Sequence, residues 1–214
     1  MNRGRFLTLE GIEGAGKSTV AQLTREWLTR AGHPVRLTRE PGGTPLAERL
    51  RQIVLEKGAE AVSGVAEMLV MFAARAQHVD GVIRPALARG EWVVCDRFTD
   101  ATRAYQGSGR GIDPALIEAL AQAVHGDVIP DCTLLLDLPV AAGLARARAR
   151  SGHHSDRFEA ETVSFFERVR SGYLALARAE PRRFRIIDAG QPLAEVERSL
   201  TDILTQLHSD SVPA

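Results

Sequence analysis

Five short apolar runs punctuate the chain, at residues 6–9, 35–38, 92–95, 133–136 and 184–187. Three of them are nearly all apolar, as strands buried on both faces of a parallel sheet tend to be. Helical patterns fill the intervals. Val20, Leu23, Trp27 and Ala31 share one helix face, which Gly32 can cap and Pro34 keeps from continuing. Thr44-Pro45 reads as N-cap plus first helical residue, opening a helix with Leu46, Leu50, Ile53 and Val54 turned inward. Residues 65–79 are apolar almost all round and predict a deeply buried helix. Asp113-Pro114 opens another helix, and Leu193, Val196, Leu200, Ile203 and Leu207 mark an amphipathic one near the C-terminus. Strands alternating with helices predict an α/β fold: a five-stranded parallel sheet flanked by helices, with right-handed crossovers. No repeat or linker interrupts it, so residues 1–214 are expected to form one domain.

Composition narrows the function classes. The chain has 27 basic and 27 acidic residues, so its formal net charge is zero. That balance argues against a nucleic-acid or acidic-membrane partner, which usually requires a basic excess. No stretch approaches the ~20 apolar residues of a membrane span, and the N-terminus lacks a signal-peptide apolar region. Cys95 and Cys132 are far apart, each in an apolar run, and no CxxC pair suggests zinc. A cytoplasmic protein is expected.

Directly after the first apolar run comes Gly11-Ile12-Glu13-Gly14-Ala15-Gly16-Lys17-Ser18, followed by Thr19. It matches G-x-x-x-x-G-K-[ST] at every fixed position. In such a loop the glycines let backbone N–H groups converge on phosphate oxygens; a lysine reaches the β/γ-phosphates and a hydroxyl serves Mg²⁺. The helix that follows adds its positive dipole end. ATP-binding residues are therefore expected from Gly11 to Thr19. A GTPase would need an Asn-Lys-x-Asp element, and the sole asparagine is Asn2. Size and charge favour a small-molecule kinase over a nucleic-acid motor.

Further motifs follow in order: Leu9-Glu10-Gly11-Ile12-Glu13-Gly14, Thr38-Arg39-Glu40-Pro41-Gly42-Gly43-Thr44, Met71-Phe72-Ala73-Ala74-Arg75, Asp96-Arg97-Phe98 and Ala104-Tyr105-Gln106-Gly107. An arginine-rich stretch spans 146–157, and Ile187-Asp188-Ala189-Gly190-Gln191-Pro192 closes the series. From end to end the chain resembles bacterial thymidylate kinases. The resemblance implies a P-loop NTPase fold of the nucleoside monophosphate kinase type, a three-layer sandwich with a mobile lid at about 146–158. It also implies ATP and dTMP as substrates, Mg²⁺ as cofactor, and a homodimer.

Site roles follow from the same resemblance. Lys17, Arg97, Arg150 and Glu13 form the implied catalytic set. Arg97 takes the dTMP phosphate, and Ser18 and Asp96 serve the metal, Asp96 through a bound water. Phe72 is implied to stack on thymine while Arg75 bonds its carbonyl edge; three residues apart, they share a helix face. An arginine in so apolar a segment requires a partner, which a nucleobase would supply. Tyr105 is implied to pack beneath the deoxyribose, with Thr102 and Gln106 beside it, Pro41 in the closing wall and Glu13 near the acceptor sugar. Arg39 is read equally as structural or ligand-binding.

The P-loop's variable positions carry no cation, so the resemblance assigns the phosphate-covering arginine to the lid. Arg150 comes first by motif position and Arg157 second, while Arg146 or Arg148 lies along adenine. The segment 151–155 is longer and more His-rich than the family's, so the register of these arginines stays open. Two other readings stand beside a dTMP kinase: a kinase of another nucleoside monophosphate, or a catalytically silent nucleotide-binding regulator.

Overall fold

The computed structural model describes residues 4–56, 60–151, 157–158 and 161–209, without the side chains of residues 150 and 151. Five parallel strands lie in the order β2-β3-β1-β4-β5. They are β1 (Phe6–Glu10), β2 (Val35–Arg39), β3 (Trp92–Asp96), β4 (Cys132–Asp137) and β5 (Phe184–Asp188). Each runs one residue past its apolar stretch, ending on Glu10, Arg39, Asp96, Asp137 or Asp188. These charged C-terminal ends form the edge at which open α/β sheets bind ligands.

Both sheet faces are covered, which explains why the central strands are mostly apolar. Leu7, Leu9, Val94 and Leu134 belong to one core with α1 (Lys17–Arg30) and α9 (Leu193–Ser209). Phe6, Val93 and Cys95, their alternates along the strands, pack with Val79, Ile83, Ala86 and Leu87 instead. The period of two therefore divides β1 and β3 between two helical layers. Helices α2 (Pro45–Leu55), α3 (Gly64–His78), α4 (Arg84–Ala88), α5 (Thr99–Thr102), α6 (Pro114–Val124), α7 (Val140–Ser151) and α8 (Val163–Ala179) complete the element order.

Caps fall where local chemistry predicts. Thr44 Oγ1 accepts from Ala47 N at 3.1 Å with Pro45 following, and Asp113 Oδ1 accepts from Ala115 N at 2.9 Å. Between α3 and α4 the chain makes a π-helical turn, Val79–Ile83, in which Arg84 N bonds Val79 O. Pro85 has no N–H to bond the preceding turn, and the wider turn absorbs that break.

Two expectations fail in a related way. Helix α3 is not buried all round: Val65 and Leu69 are 46% and 49% exposed. On α2, Val54 is buried, but Leu46 and Ile53 stand 46% and 57% exposed. Apolar content marked these helices correctly as packed elements and did not reveal that one side of the pair lies open. On α9 the buried stripe is Val196, Leu200, Leu204 and Leu207; Leu193 is exposed in the first turn.

Candidate active site

The loop from β1 to α1 wraps back over its own lysine. Gly16 caps α1 in the left-handed conformation, φ 89°, so Lys17 opens the helix. Lys17 Nζ donates to Gly11 O at 3.0 Å and Ile12 O at 2.9 Å. Gly14 (φ 74°) packs so tightly that a Cβ there would run into the carbonyl oxygen of Gly143 on α7. The loop is thereby held against the root of the expected lid.

Lys17 is nearly buried, and desolvation is the main cause lowering its pKa to about 8, with Arg97 adding repulsion. Anionic phosphates favour the charged amine, so nucleotide binding should take up a proton as pH rises past 8. ATP affinity is accordingly expected to fall above pH 8, by up to roughly tenfold per unit. Titration calorimetry from pH 7 to 9.5 checks this; an affinity flat across that range would contradict it.

Opposite the loop, β3 ends in Asp96-Arg97. Arg97 adopts φ 72°, an unusual region for a residue with a Cβ, costing ~1–3 kcal/mol. Surrounding contacts over-determine it. Nη1 donates to Gly11 O at 3.1 Å and Tyr173 Oη at 3.2 Å. Nη2 donates to Glu13 Oε1 at 2.9 Å and Tyr105 Oη at 3.0 Å. Both tyrosines pass a hydrogen onward, Tyr105 to Glu13 Oε2 at 2.6 Å and Tyr173 to Glu10 Oε2 at 2.7 Å. Burial alone would lower the Arg97 pKa, but Tyr105, Glu13, Tyr173 and Asp96 outweigh it and hold the guanidinium charged. Beneath it, burial and the charge of Asp100 raise Glu10 to about 8.

Asp96 presents the complementary feature. Its Oδ1 is buried with no hydrogen-bond partner among the described residues. Asp96 and Ser18 line the same cavity. An unsatisfied carboxylate oxygen beside a phosphate cradle fits a magnesium-bound water, since Mg²⁺ keeps several waters and takes few protein ligands. No cluster of three His, Cys, Asp or Glu occurs among the described residues.

The cavity, about 400 Å³, runs from the P-loop (Glu13, Gly14, Gly16, Lys17, Ser18) to Arg97 and on to Arg75, Thr102, Tyr105 and Gln106. Pro41 forms part of its wall. Gly11, Ile12, Ala15 and Thr19 support the loop without lining the cavity. Gln106, almost wholly buried, commits its Nε2 to Glu67 Oε1 at 2.6 Å.

Three expected site residues have protein partners of their own. Phe72 does not line the cavity; it is 2% exposed, packed with Met68, Ile117 and Ala121, and the Arg75 guanidinium lies 4.9 Å from its ring centroid. Arg75 does not depend on a nucleobase for a partner. Its Nε donates to Glu40 Oε2 at 2.7 Å, Nη1 to Thr102 Oγ1 at 3.1 Å and Nη2 to Phe98 O at 3.0 Å. Arg157, read as a phosphate-covering arginine, instead donates Nε to Val54 O at 2.9 Å and Nη2 to Glu67 Oε2 at 2.6 Å. A buried carboxylate on α3 holds it more firmly than solvent would.

The other lid arginines lie on α7. Arg146 Nη1 donates to Ala189 O at 2.8 Å, and Arg148 is exposed. Arg150 is the penultimate residue of α7; its side chain lies outside the described residues, as do residues 152–156.

Sequence reasoning missed several contributors. Met71, Arg51, Leu55, Phe98, Ala101 and Phe158 line the cavity. Tyr173 and Glu10 brace Arg97 from behind. Phe158 follows Asp156-Arg157 in the arginine-rich motif and could have been noticed; Tyr173 sits in an ordinary amphipathic helix with nothing local to mark it.

A parallel sheet of this order, a glycine loop wrapped on its lysine and an acidic residue at the adjacent strand end define a P-loop NTPase. The thymidylate kinase family model matches residues 9–200. The thymidylate kinase of Pseudomonas savastanoi pv. phaseolicola is 57% identical over 204 residues, 95% of this chain and 96% of that protein. That of Teredinibacter turnerae is 55% identical over 206 residues, 96% and 98% of the two. The crystal structure of thymidylate kinase from Ehrlichia chaffeensis matches with a TM-score of 0.75 at 34% identity, covering 94% of this chain and 99% of that one. The chain belongs to the thymidylate kinase family.

Proposed function

We propose that this enzyme transfers the γ-phosphoryl of ATP directly to dTMP, giving ADP and dTDP, with donor and acceptor held in the one cavity described above. Family membership carries the reaction, an ATP-dependent phosphorylation of dTMP. The observation that supports the site assignment is continuity: the P-loop and the Arg97–Tyr105–Arg75 wall line the same space. A phosphoryl donor and an acceptor phosphate can then meet in line between Lys17 and Arg97.

In this reading Lys17 neutralises the donor phosphates and Arg97 grips the acceptor phosphate. Glu13 and Tyr105 keep the Arg97 fork oriented, and Tyr105 crowds the sugar. Arg75 and Thr102 read the base edge, with Gln106 beside them and Phe72 as the aromatic backing of Arg75. Ser18 and Asp96 would hold Mg²⁺, Asp96 through a water. When bound, Mg²⁺ supplies charge neutralisation across the donor phosphates. The segment 146–158 serves as lid of a single domain, with Arg150 covering the phosphates and Arg146 or Arg148 flanking adenine.

A coupled ADP-release assay with dTMP, dUMP, UMP, CMP and AMP tests the assignment, and dTMP should rank first. Preference for a ribonucleotide would instead mark a kinase of another monophosphate. Tight ATP binding without acceptor-dependent ADP release would mark a silent regulator.

A homodimer is part of the proposal. The open apolar side of α2 and α3 (Leu46, Ile53, Val65 and Leu69) supports it, as a surface of this kind is uncommon on a monomer. Ile53→Lys with Leu69→Lys should halve the mass seen by light scattering; an unchanged mass would move the interface elsewhere. Among the described residues no helix is long and apolar enough to cross a membrane. The two buried free cysteines are consistent with the reducing cytoplasm, where we place the enzyme.

A further inference from the structure

Behind the acceptor wall runs a chain of buried hydrogen bonds that the reaction described above does not use. Thr38 Oγ1, near the end of β2, lies 2.7 Å from His78 Nε2. His78 Nδ1, at the end of α3, lies 2.9 Å from Glu40 Oε1. Glu40 Oε2 accepts from Arg75 Nε at 2.7 Å. His78, Glu40 and Arg75 are 0%, 4% and 3% exposed.

Hydrogen counting gives the chain a direction. Burial pushes the Glu40 carboxyl up, but the Arg75 charge and the His78 hydrogen bond outweigh it and hold Glu40 below its ordinary value. A carboxylate only accepts, so His78 Nδ1 carries the hydrogen toward Glu40, and Nε2 pairs with the Thr38 hydroxyl. Glu40 thus has both oxygens engaged. Arg75 uses three of its five N–H groups on Glu40, Thr102 and Phe98, which leaves two for the cavity it lines.

The ring is also boxed in sterically. Gly43 has φ +84°, and a Cβ there would collide with His78 Cδ2 and lie 2.6 Å from Nε2 and 2.9 Å from Thr38 Oγ1. Only a glycine lets the turn close over the imidazole. His78 does not line the cavity, so any effect on substrate passes through Glu40 and Arg75.

We propose that His78 is a positioning residue for acceptor recognition, fixing Glu40 and through it the angle at which the Arg75 guanidinium meets the acceptor base. The inference rests on the reading that Arg75 faces that base. It assigns the imidazole a substrate-selective role beyond filling space between β2 and α3.

Two near-isosteric variants separate these roles, because an asparagine amide nitrogen mimics Nδ1 and a glutamine amide nitrogen mimics Nε2. His78→Asn keeps the donor to Glu40 and should hold KM for dTMP within about threefold of wild type. His78→Gln loses that donor and should raise KM for dTMP roughly tenfold, with kcat within about threefold and KM for ATP unmoved. A space-filling role predicts instead equal losses of Tm, with KM for dTMP unchanged or both KM values rising together; either result overturns the proposal. If His78→Gln does not fold, Thr38→Val breaks the far end of the chain. A rise in KM confined to dTMP is then expected, and none would be equally decisive against it. Wild-type enzyme that leaves dTMP unconverted overturns the parent reading as well. Active wild type with a silent His78→Gln overturns this inference alone.

Discussion

Replacing Arg97 with alanine should lower kcat/KM for dTMP roughly 10³-fold while leaving the Kd of ATP within about threefold. The size follows from what the side chain holds together. Its two terminal nitrogens serve Gly11 O, Glu13, Tyr105 and Tyr173. Deleting the side chain removes the cation that faces the acceptor phosphate; since its four terminal N–H groups already serve protein acceptors, the phosphate engages Nε or displaces a tyrosine. The deletion also leaves the Glu13 carboxylate in the cavity without its cation, where it repels that same phosphate. Breaking a largely buried pair costs about 3–5 kcal/mol, and 1.4 kcal/mol is about tenfold in rate. Arg97→Lys should recover only part of the loss, since a point charge cannot satisfy four acceptors in a plane. Steady-state kinetics with dTMP varied at saturating ATP provides the measurement. A loss below tenfold, or one shared equally with ATP, would show that the acceptor phosphate is held elsewhere.

The second large effect is expected at Arg150. Arg150→Ala should reduce kcat at least a hundredfold with little change in dTMP affinity, while Arg148→Ala stays within about threefold. The P-loop has no cation of its own between Ile12 and Ala15, and an arginine matched to the spreading γ-phosphoryl charge contributes ~10³- to 10⁵-fold. Two other lid arginines already have protein partners. Arg157 is committed to Glu67 and Val54 O, and Arg146 to Ala189 O. Arg148 and Arg150 occupy α7 positions two apart, about 200° around an ideal helix, so the two variants test different helix positions. Single-turnover measurements isolate the chemical step, and near-normal turnover of Arg150→Ala would transfer the role to Arg148.

Much of the architecture could be read along the chain because its signals are local. A strand covered on both faces needs consecutive apolar residues, so all five runs were visible, each ending one residue early because the ligand-side ends are charged. The phosphate cradle is equally local: glycines, lysine and hydroxyl are consecutive, and no distant partner alters what their backbone can do. Caps at Thr44 and Asp113 follow the same logic.

What failed depended on neighbours remote in sequence. The openness of α2 and α3 is a property of the pair, so Ile53 and Leu69 could not declare themselves exposed. Arg75 correctly signalled a buried charge in search of a partner. Its partners, however, come from the β2 loop and α5, which no periodicity of α3 reports. Arg157 sits among arginines that look alike in sequence; only folding brings it to Glu67, ninety positions away.

By itself, then, the order of residues determined the strands, the donor cradle and the class of chemistry, because each is encoded within a few consecutive positions. Only the tertiary structure decided which cations face the cavity and which are spent on buried carboxylates. A charge takes its role from the dielectric and the partners around it, and both are assembled from segments that meet only when the sheet closes.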